Sequence, residues 1–375
     1  MKDVQHPALL PETIGELSLA NRLAVAPMTR VSAAADGTPT EEMADYYAAF
    51  ARGGFALIVT EGTYTDTLHS QGYLNQPGMV SDDHEAGWRE ITGRVRAAGA
   101  ASVLQLMHAG ALSQGNRYRD DTVAPSAVPP RGEKMPEYGG HGPWATPRAM
   151  GQDDIDLAVQ GFVASAVRAE RAGFDGVEVH GANGYLIDQF LTDYTNTRDD
   201  RYGGSVSRRV RLAAEIVSAI RAEVGPRFCV GIRLSQGKVN DHTHRWAGGT
   251  RDAEIIFAAL AEAGASYLHI ASEGRDWVET ATLDGGMTIT GLARKVTGLP
   301  VLANGGMHDT DQAATVLADG HADVLALGRG ALANPDFPRR LAQGLPTADF
   351  DHLMLQPMAT LNNARLWRPA AGATA

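Results

Sequence analysis

Cysteine is almost missing from this chain: Cys229, inside the apolar run FCVGIRL, is the single one among 375 residues. One thiol excludes an internal disulfide, a cysteine-ligated iron–sulfur cluster and a thiolate zinc site. Its setting reads as that of a small buried core residue. Long apolar runs are missing too. None approaches the roughly 20 residues of a membrane span, and the start MKDVQHPALLPE lacks the apolar core of a signal peptide. There is no basic block, and the net charge is −11, which argues against nucleic acid and anionic membrane surfaces as partners. Hydrophobic residues make up 44% of the chain and charged residues 21%, enough for a large core and too little charge for disorder. These absences leave a soluble, cytoplasmic protein that works on small molecules, as a monomer or a homo-oligomer.

What is present repeats. Short apolar runs at 23–28, 56–62, 102–108, 176–181, 229–235, 267–272, 301–306 and 324–329 alternate with longer helical patterns. The runs are apolar on both faces, as strands covered by helices must be. In DDIDLAVQGFVASAVRAERAG, Ile155, Val159, Phe162, Val163 and Ala166 recur at helical spacing, with Asp153 as N-cap and Gly173 as stop. A second helix is expected after Ser205 and up to Gly225, with its stripe through Val210, Ala213, Ile216, Val217 and Ile220. Length alone suggests about two domains, but eight strand–helix repeats fit one α/β unit, a (β/α)8 TIM barrel over 1–375. A doubly wound sheet is the rival, and no glycine fingerprint follows the first strand to support it. ETIGELSLANR, ahead of strand one, reads as a hairpin that caps the barrel bottom. The Gly- and Pro-rich stretch 109–152 after strand three reads as a lid, with Tyr138 and Trp144 as its aromatics.

Barrels of this type carry reactive groups at the C-terminal strand ends and often hold phosphate after strands seven and eight. Strand seven ends in Asn304, Gly305 and Gly306, and strand eight in Gly328 and Arg329. The glycines offer backbone N–H groups and close approach, and the guanidinium offers a bidentate charge. The phosphate belongs either to a cofactor or to a substrate. Thr29, Gln105, His108 and Arg233 stand at other strand ends, as donors for a flat, carbonyl-rich ring or as capping and core-pairing groups. EVHGANGYLIDQFL, residues 178–191, crowds His180, Asn183 and Tyr185 around Gly181 and Gly184 where strand four is expected to end, at His180. That is either a satisfied polar corner or a set of hydrogen-bond donors aimed at a ligand.

APMTR at 26–30, VLQLMHAG at 103–110, VEVHGANGYLIDQFL at 177–191, NTRDDRYGGS at 196–205, VGIRLS at 230–235, ANGG at 303–306 and ALGRGALANPDF at 326–337 together resemble the Old Yellow Enzyme family. The resemblance spans about residues 9 to 345. It implies an FMN-dependent ene-reductase, in which NADPH or NADH reduces the flavin and an activated alkene then takes the hydride. It further implies that Ala26, Pro27, Met28 and Thr29 line one flavin edge, with the Thr29 hydroxyl tuning the potential. Gly62 packs on the ring, Gln105 bonds the pyrimidine end, and Arg233 faces the carbonyl where charge gathers on reduction. Asn304, Gly305, Gly306, Gly328 and Arg329 hold the phosphate. His180 and Asn183 hold the carbonyl or nitro oxygen of the substrate like an oxyanion hole, and Tyr185, a phenol of reference pKa about 10, delivers the proton.

The chain departs from that pattern in places. Asn183 stands where many relatives carry a second histidine, which removes one titrating group from the clamp. Ser207 and Arg208 precede Arg209 where the family reads acidic residue, Asn, Arg. LSQGKVNDHTHRW after strand five is unusual, and His242 and His244 read as part of a solvated loop. Arg365 or Arg368 of the C-terminal NNARLWRPA is a candidate to reach a neighbouring subunit. Larger members carry an iron–sulfur cluster and a second flavin domain, and this chain is expected to have neither. Three rivals remain: a flavin reductase acting mainly on nitro compounds or quinones, a non-catalytic flavin protein, and a cofactor-free lyase or isomerase acting on a sugar phosphate. The last needs a strand-end lysine or carboxylate base, and Lys238 and Lys295 are expected to lie outside the strands.

Overall fold

The computed structural model describes residues 5–271 and 277–367. Eight parallel strands close on themselves: β1 (Leu23–Val25), β2 (Leu57–Val59), β3 (Ala101–Met107), β4 (Gly176–Asn183), β5 (Cys229–Lys238), β6 (Tyr267–Ala271), β7 (Val301–Asn304) and β8 (Val324–Leu327). Each pairs with the next in sequence, and β8 returns to β1 with Leu325 opposite Leu23, so no strand edge is left open. Helices α1 (Glu41–Gly53), α2 (Asp82–Ala97), α3 (Gln152–Arg171), α4 (Arg211–Glu223), α5 (Gly249–Glu262), α6 (Ile289–Thr297), α7 (Thr310–Ala318) and α8 (Phe337–Gln343) follow the strands in turn. This is the (β/α)8 barrel the repeats predict. Both faces of the strands are buried, which is why they read as unbroken apolar runs.

The helices begin and end where local chemistry directs. Thr40 and Ser81 cap α1 and α2 by accepting from the N–H groups of Met43 and His84. The expectation for α3 is corrected at its start. Gly151 is the N-cap and Asp153 lies in the first turn, because Asp154 reaches back to the Gly151 N–H at 2.8 Å. Gly173 does stop α3, with φ +87°. The helix expected after Ser205 comes as two segments, Val206–Arg209 and α4, joined at Val210, whose N–H donates to Val206 and whose carbonyl accepts from Ala214.

The N-terminal strands Glu12–Ile14 and Leu17–Leu19 form an antiparallel hairpin, and Ile14 and Leu19 pack against Val103, Tyr267, Leu302 and Val324 inside the barrel floor. Cys229 is buried beneath it and its thiol donates to the Ile14 carbonyl. The lid after β3 is ordered. It contains a short parallel pair, Val123–Ala124 with Arg148–Ala149, and it seats Trp144 and Tyr138 against Tyr73, Met107 and Tyr185. Among the described residues no helix is long and apolar enough to cross a membrane.

Candidate active site

Strand β4 runs three residues beyond the expected stop, to Asn183, because β5 bulges between Leu234 and Lys238 and re-pairs Lys238 with Asn183. His180 lies in register with Arg233 of β5 and is only 4% exposed. Burial first, and then the Arg233 guanidinium, push the imidazole down to about 3, so it is neutral at physiological pH. Asn183 adopts φ +62° and Gly184 φ +86°, and this left-handed pair turns the chain back toward the cavity. Tyr185 follows at the start of the short helix Leu186–Leu191, with its ring edge-on to His180 and its phenol hydrogen-bonded to that of Tyr73. Tyr73 in turn packs on Tyr138 of the lid at 5.3 Å. Thus His180, Asn183 and Tyr185 share one corner, under an aromatic roof.

Beneath that corner lies a polar layer. Gln105 donates to Glu178 at 2.8 Å, and Glu178 also accepts from His269 Nδ1 at 2.8 Å and from the Tyr267 hydroxyl at 3.1 Å. Burial pushes the Glu178 carboxyl up, but His269, Arg233 and Gln105 outweigh it and the net shift is down. His269 is pushed down by burial, so the pair is a carboxylate with a neutral imidazole. Arg233 Nη2 donates to Asn304 Oδ1 at 2.9 Å, and Asn304 Nδ2 donates to the Ala326 carbonyl at 2.7 Å. One chain of bonds therefore links the ends of β5, β7 and β8.

The rim is completed by β1, β2, β7 and β8. The Ala26 N–H donates to the Leu327 carbonyl, which sets residues 26–29 beside Gly328, where an added methyl would meet Met28 Sδ at 3.7 Å. Gly62 has no room for a side chain: a methyl would lie 2.6 Å from Met107 Sδ. Its carbonyl accepts from Gln76 Nε2 at 2.6 Å. Behind Thr29 and Gly62, buried Glu61 accepts from the Arg30 N–H and the Tyr47 hydroxyl, and burial pushes its carboxyl up to about 7. Gly305 and Gly306 both have positive φ, +129° and +64°. Arg329 is exposed, and among the described residues its side chain has no ion-pair or hydrogen-bond partner.

Some expected groups serve other ends. His108 accepts from the Gly110 N–H and faces Asp66, so it secures the start of the lid. Lys238 is corrected: it is the last residue of β5, 2% exposed, and its ammonium is paired with Asp188. His244 bonds the Gln236 carbonyl, and among the described residues no group of three or more His, Cys, Asp or Glu could hold a metal. Arg365 donates to Asn362, while Arg368 and Ser272 lie outside the described residues. Tyr73, Glu178, His269 and Asp188 were not singled out by the sequence. Glu178 and His269 had a signal, as charged or titrating residues inside apolar strand runs. Tyr73 sits in the aperiodic loop SQGYLNQPG and had none.

The geometry defines a class. His180 Nδ1 and Asn183 Oδ1 are buried and bonded to no protein atom among the described residues, and buried polar atoms of that kind call for a ligand. A side-chain-free approach at Gly62, a glycine corner with a free guanidinium at β7 and β8, and Arg233 between them fit a flat polar ring with one phosphate tail. That is the site of a flavin-dependent barrel oxidoreductase. The chain belongs to the NADH:flavin oxidoreductase / NADH oxidase family, whose profile matches residues 9–348. It is 34% identical to a NADH oxidase of Thermoanaerobacter brockii over 88% of this chain, and it spans 50% of that longer protein. Chanoclavine-I aldehyde reductase of Penicillium roqueforti is likewise 34% identical, over 91% of this chain and 90% of its own. A solved structure of morphinone reductase in complex with tetrahydroNAD superposes with a TM-score of 0.80 at 34% identity, over 92% of this chain and 93% of that one. The protein is therefore an oxidoreductase of the Old Yellow Enzyme type, with FMN as cofactor and NADH or NADPH as hydride donor.

Proposed function

We propose that the enzyme reduces the C=C bond of α,β-unsaturated carbonyl or nitro compounds, with residues 1–375 acting as one FMN-binding unit. One observation carries the reading: the buried, unpartnered Nδ1 of His180 sits in the same corner as the Tyr185 phenol. FMN, when bound, supplies the hydride. Ala26, Pro27, Met28, Thr29, Gly62 and Gln105 line the ring in this reading. Arg233 meets the charge at its pyrimidine end, and Asn304, Gly305, Gly306, Gly328 and Arg329 hold the phosphate.

His180 and Asn183 donate to the substrate oxygen. Their worth grows as that oxygen gains enolate charge, because fixed donors in a water-poor site need no reorganisation. A neutral His180 has one N–H to give, and Asn183 gives its amide, so the clamp acts without a proton of its own. Tyr185 holds its phenolic proton beside the clamp and releases it to the α-carbon. Trp144 and Tyr138 keep water out from above.

The test is an anaerobic titration of the FMN-loaded protein. NADPH should bleach the flavin absorption and 2-cyclohexenone should restore it. A bleached protein that the enone and a nitroalkene leave unchanged, but that a nitroarene or a quinone reoxidises, would assign the rival reductase activity instead.

A further inference from the structure

Lys238 and Asp188 are 2% and 0% exposed and form an ion pair at 2.8 Å. Taking two charges out of water is costly, and a buried pair is often no more stabilising than apolar groups of the same size. Its presence therefore asks for a use beyond stability. The surroundings supply one. Asp188 Oδ2 accepts the Gly184 N–H at 2.6 Å, while Oδ1 accepts from Lys238 Nζ. The Lys238 backbone pairs with Asn183 across the β5 bulge, and the Val239 N–H donates to the Asn183 carbonyl at 3.2 Å. The Ser235 hydroxyl accepts the Asn183 N–H at 2.8 Å and donates to the Gly237 carbonyl at 2.6 Å. Asn183 is thus gripped on both sides, in a left-handed conformation that residues with a side chain seldom adopt. These gripping groups come from one short segment, SQGKV at 235–239, around the end of β5.

We infer that the Lys238–Asp188 pair is a positioning device: it locks the β5 bulge against the Asn183–Gly184 turn and thereby fixes the direction of the Asn183 amide toward the substrate oxygen. The inference rests on the proposed role of Asn183 as a clamp. Lys238 touches no substrate; it acts through Asn183.

The test is a mutant cycle on the FMN-loaded protein, with a phenol as a mimic of the enolate oxygen and its Kd measured by calorimetry. Losing one aligned hydrogen bond corresponds to roughly tenfold in Kd. Lys238→Met and Asn183→Ala should each weaken the phenol by about that factor, and the double variant should be no weaker than Asn183→Ala alone. Lys238→Arg should bind close to wild type. Wild-type affinity in Lys238→Met, or losses that add in the double variant, would overturn the inference, even if the melting temperature falls. Crystal structures separate this from the functional reading. If wild type binds no phenol but φ of residue 183 leaves the left-handed region in Lys238→Met, the positioning role stands and the clamp falls. If φ stays, the positioning role falls as well.

Discussion

His180 and Tyr185 meet edge to face, with ring centroids 5.0 Å apart and planes inclined at 66°. An imidazole three residues before the end of a strand and a phenol at the start of the next helix thus border the same small volume. The phenol bonds the Tyr73 hydroxyl on its other side, and burial pushes the Tyr73 hydroxyl well above the usual range, so Tyr73 stays protonated. In the proposed reaction, oxygen recognition and proton delivery would fall to neighbouring side chains. Their separate removal should have separable effects.

Tyr185→Phe should slow reoxidation of the reduced enzyme by 2-cyclohexenone by about 10²- to 10⁴-fold, the usual worth of a general acid. Reduction by NADPH should continue. Tyr73→Phe should cause a smaller loss, because it removes only the group that orients the phenol. Stopped-flow absorbance measures both half-reactions, and an unchanged enone rate in Tyr185→Phe would exclude it as the proton source.

His180→Ala should weaken a phenolic ligand by roughly ten- to a hundredfold, as expected for one hydrogen bond to a charged oxygen. The same affinity measured between pH 5 and 8 should show no step that depends on His180, since its imidazole titrates near 3. A step near pH 6.5 that vanishes in the variant would contradict the neutral clamp.

Arg329→Gln should loosen FMN by about one to two orders of magnitude while leaving the fold intact, since the guanidinium is exposed and has no other partner among the described residues. Gly62→Ala should also impair FMN retention, for a steric reason: the new methyl would press Met107 Sδ from 2.6 Å. Fluorescence of released flavin gives both constants.

Acid should destabilise the protein through His180 and His108, which burial holds down to about 3 and about 4. The unfolded imidazoles titrate near 6.5, so between that value and the folded ones the unfolded state binds more protons. The stabilisation is full above pH 6.5 and is lost as pH falls toward 4 and 3. Melting temperatures from pH 7 to 4 should fall less steeply in His108→Gln, provided that variant still folds.

Much of this was legible in the sequence because barrel strands are buried on both faces and their polar residues stand out. Arg233, Asn304 and Gln105 interrupt apolar runs, and all three prove to face the shared polar layer. The hairpin and the lid were legible from composition. What failed was local. The bulge hid the true end of β5: SQGK lacks apolar alternation, so Lys238 reads as loop although it pairs with Asn183. Asp153 lost the cap to a glycine, because Asp154 satisfies the same N–H from within the helix. Tyr73 meets Tyr185 across 112 residues, and nothing in a single sequence encodes that meeting.

The hairpin under the barrel closes one of its two ends. With Ile14 and Leu19 wedged among Tyr267, Leu302 and Val324, that end of the barrel is plugged by apolar side chains. Under the proposed function, reductant and alkene would both come in from the opposite, C-terminal end of the strands and would take turns there. An excess of either one should therefore obstruct the other.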